Sequence, residues 1–159
     1  MVSWLEQIES SGLSTWIRES NAIYAFPGIL IVHTLGMALA AGSAAAIGLR
    51  LLGVARQIPL ASLRELVPVA WIGLLLNVGS GILLVVAYPT KALTNPIFYL
   101  KLLVIVAAVA VIRHLDGRVL KVEAPTRKLV PAALLVLTAL AIVTGRLLPY
   151  TYRHLMAGH

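Results

Sequence analysis

Four stretches of this sequence, read as 24–49, 65–88, 97–113 and 129–150, run for 17 to 26 residues with almost no charge. Glu65, at the entrance of the second, is the only carboxylate in any of them. About 20 apolar residues in a helix cross a hydrocarbon core roughly 30 Å thick. In that core every backbone group must be satisfied within its own segment, which leaves helices and closed barrels as the options. Runs of this length are helical, so the sequence predicts an all-α fold. The expected architecture is a four-helix transmembrane bundle with a short N-terminal interfacial amphipathic helix, and residues 1–159 form one domain. Composition agrees, with 60% hydrophobic and 12% charged residues, against about 25% charged in soluble domains.

The opening residues 3–20 carry Trp4, Leu5, Ile8, Leu13, Trp16 and Ile17 at roughly helical spacing. Tryptophan favours the headgroup zone, so this segment is read as a helix lying on the membrane surface. It lacks a basic start and an apolar core, so it is not expected to be a cleaved leader.

The formal charge of +7 does not point to nucleic acid, because the basic residues sit at the ends of the apolar runs. Arg50, Arg56 and Arg64 fall in the first link, and Arg113, Arg118, Lys121, Arg127 and Lys128 in or beside the third. Arg18, Lys91 and Arg153 belong to the other side. Basic residues concentrate in cytoplasmic loops. The expectation is therefore a multi-pass protein of the bacterial inner (cytoplasmic) membrane with both termini periplasmic. Seven aromatics gather at the outer ends of the runs: Tyr24, Phe26, Tyr88, Phe98, Tyr99, Tyr150 and Tyr152. Cysteine is absent, which removes disulfides and thiolate chemistry.

One polar side chain stands out in each run. His33 lies nine residues in from Tyr24, about 14 Å deep, and Asn77 lies eleven residues from Tyr88, about 16 Å deep. Lys101 and Arg146 are each four residues inside their runs, at about 6 Å. Ionisable groups within spans usually face the interior and mark a site. Plainer roles stand beside that one. Lys101 and Arg146 can snorkel to the headgroups, Asn77 can join two helices, and His33 can be a hydrogen-bonded core residue. Gly36, Gly42, Gly79 and Gly81 keep the helix walls low near these groups, for helix packing or for a flat ligand.

The stretch "HTLGMALAAGSAAAIGLR", with His33, Gly42 and Arg50, and the stretch "NPIFYLKLLVIVAAVAVIRH", with Lys101 and His114, resemble a superfamily of small membrane proteins. It includes the CopD-type copper-resistance proteins and the HemJ-type protoporphyrinogen oxidases. The resemblance implies haem b in the outer half of the bundle and an electron-transfer or redox role, with quinone or an outward-facing redox partner as the second component. It implies His33 as axial ligand to iron, Lys101 and Arg146 at the propionates, and Asn77 orienting the ligand. The chain departs from the HemJ wording after His33, reading "GMALAAG" in place of a W-x-A-G pattern. His114 is seventeen residues into its run, about 25 Å down, and so too far from His33 to share its iron. His154 is the remaining candidate for a second ligand and would have to fold back from beyond the fourth run. The alternatives are a CopD-like copper transport or accessory protein without haem, drawing on His33, Met37 and Met156, and a structural subunit. Membrane lipid is a partner in any case, and a homo-oligomer or a larger membrane complex is compatible with the small-residue surfaces.

Overall fold

Prolines, an asparagine and a glycine fix where the long helices begin and end. Helix α3 (Phe26–Leu52) carries Pro27 in its first turn, where a missing N–H costs nothing. It stops at Gly53, whose φ of 101° needs a residue without Cβ. Helix α5 (Leu66–Ala87) ends just before Pro89, and α7 (Pro96–Leu115) starts behind Asn95. The Asn95 Oδ1 accepts from the Ile97 N–H at 3.0 Å. Helix α8 (Leu129–Met156) closes the bundle. Among the described residues four short helices complete the set: α1 (Ser3–Glu9), α2 (Gly12–Glu19), α4 (Leu60–Leu63) and α6 (Pro89–Leu93). The computed structural model describes residues 3–116 and 128–156, with side chains over 4–116 and 128–151.

The fold is an all-α bundle, and among the described residues four helices are long and apolar enough to cross a membrane. Their ends fall within three residues of those expected from hydropathy, apart from the C-terminal end of α8. The N-terminal segment differs more. It breaks at Ser10 and Ser11 into two short helices, because Ser11 caps the second one by accepting from the Ser14 N–H. Ile17 and Ser14 turn inward, while Trp4, Leu13 and Trp16 stay exposed. The pair packs over the end of the bundle where α3 and α7 begin, here called the N-terminal end.

There α2 satisfies an orphan carbonyl. The Ser14 hydroxyl and the Arg18 guanidinium both donate to Ala87 O, at 3.2 and 3.1 Å. Glu9 accepts from the Thr90 hydroxyl at 2.7 Å and pairs with Arg18 at 3.7 Å. Asn95, 1% exposed, also donates to Thr151 Oγ1 at 2.9 Å and so fastens the start of α7 to α8.

Helix α3 is the centre of the bundle. It packs against α5 on one side and α8 on the other, and α7 packs on α8, whereas α5 and α7 barely approach each other. The α3–α5 contact is backbone on backbone: a Cβ on Gly36 would lie 2.6 Å from Asn77 N, and one on Gly73 would lie 2.5 Å from Ala40 N. Apolar clusters seal both ends, Ile17, Ile29 and Ala87 at the N-terminal end and Ala44, Ile47, Leu63, Val67, Leu115 and Leu134 at the opposite one.

Candidate functional site

Between those two seals the polar side chains of three helices meet around His33. The close α3–α5 crossing at Gly36 and Gly73 brings the Asn77–Ser80 turn of α5 against the imidazole. Asn77 Nδ2 donates to the His33 carbonyl at 2.9 Å. Ser80 Oγ lies 3.0 Å from His33 Nδ1. The Ser80 hydroxyl also has the Leu76 and Asn77 carbonyls within reach, at 2.5 and 3.2 Å. Both groups that face Nε2, Lys101 Nζ and Asn77 Nδ2, are donors, and Ser80 Oγ can accept at the other nitrogen, so the contacts suit the tautomer with its proton on Nδ1 and the Nε2 lone pair free to accept. A Cβ on Gly81 would sit 3.3 Å from His33 Cε1, so that glycine makes room for the ring.

Across the bundle from α7, Lys101 Nζ stands 3.4 Å from Nε2 as its donor, with Asn77 Nδ2 at 3.5 Å from the same atom. Lys101 is half-buried and turns toward His33 rather than away to the bundle end. Gly145 of α8 faces it, since a Cβ there would lie at ordinary contact distance, 3.7 Å, from both Cε and Nζ. None of the four long helices contains an aspartate or glutamate. The ammonium thus has a neutral imidazole for its neighbour, and its charge is not compensated from within these helices.

Below this cluster runs a slot of about 80 Å³. Its walls are small or apolar, with Met37, Ala41 and Ala44 from α3, Trp71 and Leu74 from α5, Ala108 and Ile112 from α7, and Ala141 from α8. The one hydroxyl on it, that of Thr138, is committed to the Leu134 carbonyl at 2.7 Å. At the far end the Arg113 guanidinium lies over the Trp71 ring, 5.8 Å from its centroid.

Of the residues expected from the sequence, His33, Asn77 and Lys101 come together. Arg146 does not join them: Gly145 faces Lys101, and one step of about 100° round the helix leaves Arg146 exposed. His114 is exposed at the opposite end of the bundle. The side chains of His154 and Met156 lie outside the described residues. Gly42 meets nothing within 4 Å, whereas Gly36 carries the helix crossing. Ser80 is the residue that sequence reasoning missed. Its signal was the spacing from Asn77, since residues three apart share one face of a helix.

Comparisons with protein-family profiles, with curated proteins and with solved structures found no match to this chain.

Proposed function

We propose that this chain is a haem-b-binding membrane protein with an electron-transfer or redox role, and that His33 is the axial ligand. The observation that carries the proposal is the orientation of one imidazole: Nδ1 lies 3.0 Å from Ser80 Oγ, and Nε2 faces the interior, with Lys101 Nζ 3.4 Å away. A ligating histidine has its other ring nitrogen fixed in this way by a second hydrogen bond. Haem held by a histidine supplies one-electron chemistry. Asn77 and Ser80 hold the ring, and Lys101 must turn aside for a metal to reach Nε2, after which it is placed to meet a propionate.

The donors fit this group, but the slot as it stands does not hold a macrocycle. Cofactor pockets occupy about 300–1,000 Å³, against about 80 Å³ here. Loading therefore requires α5 and α7 to part, and their backbones stay apart, with side chains such as Trp71 and Arg113 bridging them at the far end. The resemblance to CopD- and HemJ-type proteins, including Lys101 on the third long helix, supports the same reading.

We place the protein in a bacterial inner membrane with the N-terminal end of the bundle outward. Arg50, Arg56, Arg64, Arg113 and Lys128 at the opposite end support that orientation. The test is an absorption spectrum of the purified protein, oxidised and then reduced, before and after reconstitution with haem. A Soret band that His33→Ala abolishes is expected. Wild-type protein that stays colourless after reconstitution refutes the proposal.

A further inference from the structure

The slot has a shape and a charge that haem does not explain. From Lys101 to Ile112 it follows eleven residues of α7, about 16 Å of helix. Spread over that length, some 80 Å³ suits a slender ligand such as one hydrocarbon chain and falls well short of the about 300–1,000 Å³ of a cofactor pocket. Below Asn77 and Lys101 the polar side-chain groups on its walls are the Thr138 hydroxyl, whose proton goes to the Leu134 carbonyl, and the Trp71 indole N–H. At its head stands an ammonium whose four surrounding helices contain no carboxylate.

We propose that, in the haem-free form, this slot binds a single-chain amphiphile with a carboxylate head, of the long-chain fatty acid class. The carboxylate pairs with Lys101 Nζ and accepts from Asn77 Nδ2, and the chain runs down the slot past Ala41 and Ala108 toward Trp71. Selection comes from the head, not the tail. Lipid tails are as apolar as the slot walls, so moving a chain from bilayer to slot brings no hydrophobic gain. A carboxylate facing an uncompensated ammonium inside a helix bundle gains far more than it does beside an exposed lysine. Entry is lateral, through the seam between α5 and α7. Because the chain would occupy the space that haem needs, the two ligands exclude one another.

Trp71 reports on the slot directly. Trp4 and Trp16 are the only other tryptophans; both are exposed, on the helices that cover the N-terminal end. Full-length protein with Trp4→Phe and Trp16→Phe is titrated in neutral detergent with a fatty acid brominated near its methyl end, bromine being a tryptophan quencher no bulkier than a methyl group. The methyl ester of the same probe is titrated in parallel. Saturable quenching of Trp71 by the acid, at least tenfold tighter than by the ester, is expected. Lys101→Met removes the difference, Lys101→Arg keeps it, and Ala108→Phe abolishes saturation with the acid. Equal quenching by acid and ester in the unaltered slot overturns the inference, and that comparison does not depend on any Lys101 variant folding. Absence of a saturable component overturns it too. The haem reading falls separately, on the spectrum: a colourless protein that binds the acid leaves this inference standing, and a haem protein that ignores the acid leaves only the other.

Discussion

Replacing Gly36 with alanine tests whether the whole site depends on one backbone contact. The new Cβ would lie 2.6 Å from Asn77 N, 2.8 Å from Gly73 O and 3.0 Å from Leu76 Cβ, where ordinary contact begins at 3.4 Å. The first two obstacles are backbone atoms, so no side chain can swing clear and α5 must recede by roughly 0.8 Å. A recession of that size takes the Asn77–His33 and Ser80–His33 bonds from 2.9 and 3.0 Å past the range of a hydrogen bond. Overpacking costs about 1–3 kcal/mol, and each interhelical bond lost in a membrane about 0.6 kcal/mol. Alanine returns up to about 1 kcal/mol through its helix propensity. Gly42→Ala isolates that last contribution, because nothing lies within 4 Å of a Cβ there. The two variants should therefore differ by about 2–4 kcal/mol in reversible unfolding in mixed micelles, with Gly36→Ala the weaker and Gly42→Ala at or above wild type. If Gly36→Ala is as stable as Gly42→Ala, the helices are not in backbone contact, and the argument that places Asn77 and Ser80 on the imidazole fails with it.

Ser80→Ala removes the acceptor that holds the Nδ1 proton, so nitrogen NMR of the labelled imidazole should show the Nδ1–H tautomer giving way to a mixture; an unchanged ring would mean that Ser80 does not set it. Asn95→Ala removes the part-buried bond to the Thr151 hydroxyl and uncaps α7, and should cost about 1–3 kcal/mol of stability by thermal melting. Arg18→Met with Ser14→Ala leaves Ala87 O without its two donors, and hydrogen exchange in α2 should rise while the amides of α3 around Gly36 stay protected. In the haem-reconstituted protein, Ala108→Phe should lower haem uptake at unchanged helix content by circular dichroism, because its ring fills the slot.

Much of the fold is legible in the chain because the bilayer leaves few solutions to a long apolar run. Depth was legible too: counting residues from the aromatic rims put His33 and Asn77 at one level, and they meet there. Rotation about the helix axis was not. Depth alone made Lys101 and Arg146 equivalent, yet one faces His33 and the other faces out, because Gly145, the neighbour of Arg146, takes the inward position on α8. The pattern of apolar residues cannot settle such a choice when the lipid side and the core side of a helix are equally greasy. The break of the N-terminal helix at Ser11 was readable in principle, since serine is a preferred N-cap. The continuous run of tryptophans and isoleucines across it concealed the signal.

The order of helix packing decides where a ligand could enter, and sequence order does not reveal it. Because α3 holds α5 by backbone contact and α8 by side chains, and α7 is held through α8, the compliant seam is the one between α5 and α7. His33 projects from the central helix toward α7, with Lys101 standing across it. Asn77 and Ser80 come from the helix that cannot move away from α3 without losing the crossing at Gly36 and Gly73. The imidazole is thus anchored on the rigid side of the seam, and the lysine that occupies its free nitrogen is carried by the helix on the yielding side. A bundle whose polar groups served only to join helices would place both partners of each bond on tightly packed helices. Dividing the bond between His33 and Lys101 across the loosest contact in the bundle leaves Nε2 as the one position in the cluster that opens when the seam does.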